Sequence, residues 1–330
     1  MLHIHNGDCS ANVAKQSTIP GEHFAWREAL IDGPAPANVS EAEWRKVRAS
    51  HLREFYGVDP NESENGLRLQ EDKLASYSEH DEVVLWFEHD LFCQINLLYL
   101  LDWFSQRELG KTRLSLIFVG EYPGLPNFRG LGELTPEQMA SLFPARREIL
   151  PAQFELATAA WAAYRSPDPT GIERLLEIDF APMPFLKQAL RLHLERFPFV
   201  RNGLGRIQNK GLEFIETGLH KFTEIFPRFA DAERSYGLGD SQFWIAMNQM
   251  VHAREPLLKT TDQSSANGGI SPEEMRQVEF EMTATGAYVL NGDADFININ
   301  GLDTWLGGVH LRGKSDIWRW DDQRQRLAFI

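Results

Sequence analysis

Polar and acidic side chains follow four short apolar segments of the chain, at the point where each segment ends. They are Asn6-Gly7-Asp8 after the first, Arg27-Glu28 with Asp32 after the second, Glu88-His89-Asp90 after the third and Gly120-Glu121-Tyr122 after the fourth. Carboxylates beside an imidazole can bind a divalent cation or act as a general acid/base pair. These residue types therefore predict a site for a metal ion or a small polar ligand.

In an open parallel sheet, ligands bind beyond the carboxyl ends of the strands, so we expect these residues to lie along one edge. We assign Asp8 and Asp90 to a divalent metal such as Mg²⁺, and Glu88 or His89 to general acid/base catalysis. The residues predicted to contact a ligand are Asn6, Gly7, Asp8, Arg27, Glu28, Asp32, Gln94 and Glu121. A structural interpretation stays open, in which Asp8 and Asp90 cap helices and Glu88 accepts an internal hydrogen bond.

The four apolar segments are predicted to be parallel strands, because helical patterns lie between them. We predict strands at 2–6, 22–27, from Glu82 onwards and at 113–119, and helices at 40–56 and 67–77 with a polar loop at 61–65. A strand order of 2-1-3-4 would place Asp8 and Asp90 on either side of the topological switch point. The predicted fold class is α/β, with a small doubly wound parallel sheet at the N-terminus.

The rest of the chain is predicted to be a helical connector followed by an α+β, winged-helix-like C-terminal region. Residues 133–199 show helical patterns and no strand pattern. Residues 200–330 follow the order of a winged helix, with three helices, a strand, a polar wing at 262–269, a strand at 278–282 and a helix. The predicted domains are therefore 1–132, 133–199 and 200–330, and we expect short β structure in the tail at 301–320.

The formal net charge of −14 argues against an extended nucleic-acid interface, because such interfaces are basic. The helix predicted at 240–252 would be the recognition helix of a winged helix, yet it carries no Lys or Arg. Nucleic acid is therefore a disfavoured partner, and we expect packing or dimerisation to be the role of this region. The tail holds Trp305, Trp318 and Trp320, which we interpret as packing residues because large aromatic rings dominate cores.

Composition is that of an ordinary soluble protein, with 330 residues, 43% of them hydrophobic and 24% charged. The two cysteines, Cys9 and Cys93, are too few for a disulfide framework, and we expect both to be small buried thiols. The first residues, MLHIHNGD, lack the basic and apolar regions of a secretory signal. Polar residues at 88–90 and Gln94 interrupt the longest apolar run. These features predict a cytoplasmic protein with no membrane partner.

Two further groups of residues have a structural and a functional interpretation. His3 and His5 lie on one face of the first predicted strand and could hold zinc with further ligands, but we expect buried, hydrogen-bonded histidines. Arg45, Lys46 and Arg48 lie among acidic residues on a predicted helix. We interpret these three basic residues as a solvated helix face.

Seven segments of the chain resemble the bacterial proteins grouped as domain of unknown function 1835. These segments are HNGD, AWREALIDGPAP, LWFEHDLFCQINLLYLLDWF, WAAYRSPDP, NGLGRIQNKGLEFI, GLGDSQFW and DTWLGGVHL. Positions that match the family pattern include Asn6, Gly7, Asp8, Trp26, Arg27, Glu28, Gly33, Pro34, Glu88, His89, Asp90 and Gln94. The resemblance implies an α/β N-terminal part followed by helical and winged-helix-like parts, and it implies no reaction.

From the residues we expect a protein that binds a small polar or phosphorylated ligand, such as a nucleotide with a divalent metal, at the sheet edge. Hydrolysis or group transfer would use Glu88 or His89 as acid or base. The helix beginning near Cys9 would offer amides, and the loop at 120–132 would cover the site. The alternative is a regulatory or interaction protein whose C-terminal region binds nucleic acid or a protein partner. The sequence determines neither the substrate nor the oligomeric state.

Overall fold

Strands and helices alternate along the first half of the chain in the computed structural model, which describes residues 1–260 and 271–330. The wing predicted at 262–269 lies outside the described residues. The strands are β1 (Leu2–Asn6), β2 (Glu22–Trp26), β3 (Gly33–Pro34), β4 (Glu82–Glu88), β5 (Arg113–Val119), β6 (Arg147–Glu148), β7 (Leu258–Thr260), β8 (Phe280–Met282), β9 (Leu302–Gly307), β10 (Val309–Gly313), β11 (Trp318–Asp321) and β12 (Arg326–Phe329).

Helices account for most of the remaining secondary structure. They are α1 (Asp8–Lys15), α2 (Glu41–Tyr56), α3 (Pro60–Ala75), α4 (Leu91–Ser105), α5 (Pro136–Leu142), α6 (Pro151–Tyr164), α7 (Thr170–Leu175), α8 (Leu186–Leu194), α9 (Arg206–Glu216), α10 (Phe222–Ala232), α11 (Asp240–Val251), α12 (Pro272–Met275), α13 (Ala284–Asn291) and α14 (Phe296–Asn300). No helix within the described ranges is both long enough and apolar enough to cross a membrane.

The main sheet has the order β2-β1-β4-β5-β6. Its first four members are parallel, which confirms the predicted strand order of 2-1-3-4. The fifth, β6, is antiparallel and pairs Arg147 with Leu116. The prediction that residues 133–199 contain no strand is therefore wrong, because a two-residue edge strand is too short to give a sequence pattern.

Helices cover both faces of the sheet, and the central strand β4 is apolar on each side. Val83, Leu85 and Phe87 belong to the larger core, which includes residues of α4, α6 and α8. Val84 and Trp86 point to the other face and pack with residues of α1 and α5. Strands buried on both faces read as continuous apolar runs, which is the pattern of this segment.

The segment at 61–65 is helical, so the polar loop predicted there is wrong. Asp59 caps the N-terminus of α3, and its Oδ1 accepts hydrogen bonds from the backbone amides of Asn61 and Glu62. A capped first turn can carry polar residues on its exposed side. The capping box predicted from Ser40 and Glu43 is present at the start of α2.

Residues 133–199 pack directly on the sheet domain, since α6 and α8 both lie against α4. One connected core contains Leu85 of the sheet, Trp161 of the connector and Phe243 of the C-terminal region. The division of the chain into domains at 132 and 199 stays a prediction.

The tail forms two β-hairpins, which confirms the predicted short β structure. β9 pairs with β10 and, in parallel, with β3, while β11 pairs with β12. A Cβ on Gly308 would lie 1.9 Å from the carbonyl oxygen of Arg165, so only glycine allows this hairpin to meet the end of α6. The pairing of β3 with β9 attaches the tail to the loop that follows β2.

Candidate functional site

Asn6, Glu88, Asp90 and Cys93 meet at the carboxyl ends of β1 and β4, and we call them the edge group. The Cys93 thiol donates a hydrogen bond to Glu88 Oε2 at 3.0 Å, and Asn6 Nδ2 donates to Cys93 Sγ at 2.8 Å. Asp90 Oδ1 accepts from the backbone amide of Cys93 at 2.8 Å and so caps α4. The structure thus brings three of the predicted residues to one point, with Cys93 between them.

Burial governs the ionisation of the edge group. It raises the pKa of Glu88 to about 7, and the neighbouring Asp90 carboxyl adds to this shift. Burial also raises the pKa of Asp90 and, well above its ordinary value, that of the Cys93 thiol. Cys93 is therefore a neutral hydrogen-bond donor. It is buried as predicted, whereas Cys9 is exposed and that prediction is wrong.

The C-terminal end of the loop at 120–132 contacts the edge group. The backbone amide of Leu131 donates a hydrogen bond to Glu88 Oε1. A Cβ on Gly130, which has a φ of 152°, would lie 2.9 Å from the same oxygen. Both oxygens of Glu88 therefore have partners, although its side chain is only partly buried.

Glu28 lies next to the edge group in a buried ion pair with Arg48. Arg48 Nη2 donates to Glu28 Oε1 at 2.7 Å, and neither side chain is more than 1% exposed. Asn96 Nδ2 donates to the Glu28 carbonyl oxygen and to Asn6 Oδ1, each at 2.7 Å. The prediction that Arg48 belongs to a solvated face is wrong, because α2 turns this side chain into the loop after β2.

Asp8 and Arg27 form a solvent-exposed ion pair at the same edge of the sheet. Arg27 Nε and Nη2 donate to the two carboxylate oxygens of Asp8 at 2.6 and 2.7 Å. The Arg27 hydrogen bond lowers the pKa of the Asp8 carboxyl. Gly7, with a φ of 89°, occupies the N-cap position of α1. Asp8 is therefore neither the predicted helix cap nor a member of the edge group that contains Asp90.

Asp32 lies away from the edge group, in the loop that leads to β3. Its carboxylate accepts hydrogen bonds from Arg196 Nη2 and from the Tyr56 hydroxyl, each at 2.8 Å. These contacts attach the loop to α2 and to the segment after α8. The structure therefore does not bring Asp32 together with Glu88 and Asp90.

The remaining predicted site residues differ in their surroundings. Gln94 is buried and donates to the Glu88 carbonyl oxygen at 2.6 Å, so it orients the end of β4. The His89 ring lies edge-on to Phe185 with 6.0 Å between the ring centroids. Within the described residues, its buried Nδ1 has no hydrogen-bond partner. Glu121 is exposed after β5.

Several contributors to the site carried no clear signal in the sequence. Asn96 could have been found as a polar residue inside an otherwise apolar helix. Gly237 could not, because its role depends on a contact between distant parts of the chain. A Cβ on Gly237 would lie 2.1 Å from Asp90 Oδ1, so the C-terminal region touches the edge group here.

The donor set of the edge group decides which metal it could hold. Ligand atoms of Glu88, Asp90 and Cys93 lie within 4.8 Å of one another. Mg²⁺ takes oxygen ligands, whereas a thiolate with carboxylates suits Zn²⁺. The three donors together therefore suit Zn²⁺ better than Mg²⁺, and Zn²⁺ would have to displace the proton of Cys93.

His3 and His5 are buried and hydrogen-bonded, which confirms the structural interpretation of this pair. Trp86 Nε1 donates to His3 Nδ1 at 3.1 Å, and His5 Nε2 lies 3.0 Å from Nδ1 of His23 on β2. The rings of His3 and His23 are stacked, with 4.5 Å between their centroids. Burial lowers the pKa of all three imidazoles, that of His3 to about 4.

No model of a known protein family matches this chain, and no curated protein matches it. The resemblance to domain of unknown function 1835 therefore stays a prediction.

Proposed function

We propose that the protein binds a small polar ligand at the carboxyl edge of its sheet and that Glu88 exchanges a proton with it. The observation that carries this proposal is the Glu88 carboxyl, partly exposed at the end of β4 with its pKa raised to about 7. A general acid or base works best when its pKa lies near the working pH. Hydrolysis and group transfer are the reaction classes that such a residue fits.

A phosphorylated ligand is supported by the groups at the mouth of the edge. The Arg27 guanidinium is 61% exposed, and its partner Asp8 stands at the N-terminus of α1. A phosphate that replaced the Asp8 carboxylate on Arg27 would keep two parallel hydrogen bonds and would face the amides of the first helical turn. No part of this proposal requires Mg²⁺.

Thermal unfolding against nucleotides and sugar phosphates, each with and without Mg²⁺ or Zn²⁺, tests the proposal. A ligand at a hundredfold excess over its Kd stabilises the folded state by about 2.7 kcal/mol. We expect one compound to raise Tm for the wild type and less for Glu88→Gln, which has nearly the same shape but cannot ionise. The matched control is Asp81→Asn, whose side chain is 95% exposed just before β4 begins, at the opposite end of that strand.

Two results would contradict the proposal that a ligand binds beside Glu88. Either no compound raises Tm, or the increase is the same in Glu88→Gln as in the wild type. A shift that needs Zn²⁺ and disappears in Cys93→Ser would instead assign the edge group to a metal. A shift that is lost in Arg27→Gln and kept by Asp81→Asn would support the phosphorylated ligand.

We also propose that the C-terminal region contains a winged-helix-like unit that serves packing. The order α9, α10, α11, β7, the short α12, β8 and α13 supports this, since β7 and β8 are antiparallel. Phe243 and Met247 on one side of α11 are fully buried, while Gln242 and Ile245 on another side line a cavity. One side of α11 is packed in the core and another faces a cavity walled by other parts of the chain, so the helix is poorly placed to enter a DNA groove. Affinity for duplex DNA that falls steeply with salt would favour the nucleic-acid alternative.

A further inference from the structure

A cavity of about 850 Å³ lies between α2, α11 and the β9–β10 hairpin. Ligand pockets typically measure about 300 to 1,000 Å³, so this cavity could hold a small molecule. Asp32 lines it, but Glu88 and Asp90 do not. The cavity is therefore separate from the edge group, although Leu238 in its wall follows Gly237, which touches Asp90.

The ionised side chains that line the cavity are mostly paired within the protein. The pairs are Asp32 with Arg196, Arg206 with Glu233 and Asp303 with Arg312, at N···O distances of 2.8, 2.9 and 3.5 Å. Glu54 and Arg254 also belong to the lining, are exposed to solvent and have opposite charges. The cavity therefore offers no surplus of either charge to a ligand.

Some neutral hydrogen-bonding groups in the wall have no partner in the part of the chain that the structure describes. His51 is only 6% exposed, and its buried Nε2 makes no hydrogen bond. Burial lowers the pKa of His51 to about 4, so the ring is neutral at pH 7. The amides of Gln208 and Gln249 also line the cavity. Buried polar atoms are normally hydrogen-bonded, so the unpartnered His51 nitrogen indicates a ligand or water partner.

Aromatic rings supply flat surfaces around these polar groups. Trp305 is half-buried, and one face of its indole stacks on His310 with 4.3 Å between the ring centroids and 6° between the planes. Phe55 and Phe296 are partly exposed and line the same cavity. Planar rings prefer to stack on such surfaces, and this holds for every nucleobase.

We propose that this cavity binds an uncharged planar heteroaromatic compound of the nucleobase or nucleoside class, through His51, Gln208 and the aromatic rings. A side-chain amide carries a donor and an acceptor side by side, which matches the edge of a nitrogen heterocycle. An imidazole nitrogen adds a third hydrogen bond. The balance of charge in the wall favours the uncharged compound over its phosphate ester.

Isothermal titration of the full chain with adenine, adenosine, uridine and adenosine monophosphate tests this inference. We expect saturable binding of at least one base or nucleoside, with no gain in affinity from the phosphate. Equal affinity for adenine and adenosine would show that the base alone is recognised. Affinity should be unchanged in Glu88→Gln, which separates this inference from the function proposed for the sheet edge.

Variants of the wall identify the site. Gln208→Leu and Trp305→Leu should each weaken binding about tenfold, since each removes a hydrogen bond or a stacking surface. Gln188→Leu, at an exposed position of α8 outside the cavity, is the matched control and should bind as the wild type does. Thermal unfolding of each variant checks that it is folded. The inference is overturned if no base or nucleoside binds at about 1 mM, or if both wall variants bind as tightly as Gln188→Leu.

Discussion

The Cys93 thiol donates a hydrogen bond to Oε2 of Glu88 at 3.0 Å, at the point where β4 ends and α4 begins. Asn6 of the neighbouring strand donates to the same sulfur at 2.8 Å. Two adjacent strands and a helix are therefore joined through the Cys93 sulfur and the Glu88 carboxyl group. Because burial raises the pKa of this group to about 7, the edge of the sheet changes its charge close to neutral pH.

Replacing Glu88 should change how stability depends on pH. Its pKa in the folded protein, about 7, exceeds its ordinary value of 4.5, so the folded state keeps a proton that the unfolded chain has lost. This contribution to the free energy of unfolding is present below pH 4.5 and is lost as the pH rises through about 7. We expect the loss, about 1–3 kcal/mol, to be absent in Glu88→Gln.

Urea denaturation of the wild type and the variant at about pH 5 and about pH 8 measures this difference. Glu216→Gln, at an exposed position at the end of α9, is the control and should follow the wild type. If the free energy of unfolding changes between the two pH values by the same amount in Glu88→Gln as in the wild type, Glu88 has an ordinary pKa in the folded protein.

The buried histidines should act in the opposite direction. Burial lowers the pKa of His3 from 6.5 to about 4 and also lowers those of His5 and His23, so the unfolded chain binds protons more readily. Their contribution is present above pH 6.5 and is lost as the pH falls toward about 4. We expect His5→Leu to weaken this acid sensitivity by about 1 kcal/mol. The measurement is the free energy of unfolding of His5→Leu and of the exposed control His252→Gln across this pH range. Equal slopes of this free energy against pH in the two variants would contradict the prediction.

Removal of Arg48 should be among the most damaging single changes. The guanidinium is fully buried and bonds to Glu28 and to the carbonyl oxygens of Ala29, Asp32 and Pro34. Arg48→Ala leaves a buried carboxylate without its partner, which typically costs about 3–5 kcal/mol. Chemical denaturation should show this loss, whereas Arg53→Ala on the exposed side of α2 should change the free energy of unfolding by about 0.5 kcal/mol or less.

Adding a methyl group at Gly237 should disturb the contact between the C-terminal region and the edge group. The new Cβ would lie 2.1 Å from Asp90 Oδ1, and the residue has a φ of 66°. Gly218 also has a positive φ, 93°, but a Cβ there would meet no atom within 4 Å. Gly218→Ala should therefore cost only the backbone strain, about 1–2 kcal/mol. We expect Gly237→Ala to cost more in thermal unfolding, and an equal loss would show that Asp90 moves freely aside.

The sequence by itself determined the elements whose causes are local. Ser40 and Glu43 begin α2 because a capping box needs only residues within one turn, and Asp90 caps α4 for the same reason. The alternation of apolar strands with helices indicated a doubly wound parallel sheet, and the strand order 2-1-3-4 that is common in such sheets is the one observed.

Tertiary structure alone decided which polar residues meet. Asp8 and Asp90 follow similar strands, yet Asp8 pairs with Arg27, which directly follows β2, while Asp90 packs against Gly237. In the sequence, Arg48 cannot be told from an exposed basic residue on a charged helix. Its burial depends on the loop after β2, which packs around it. These outcomes depend on contacts between residues that are distant along the chain. No pattern of neighbouring residues encodes such contacts, because burial and charge pairing are properties of the assembled fold.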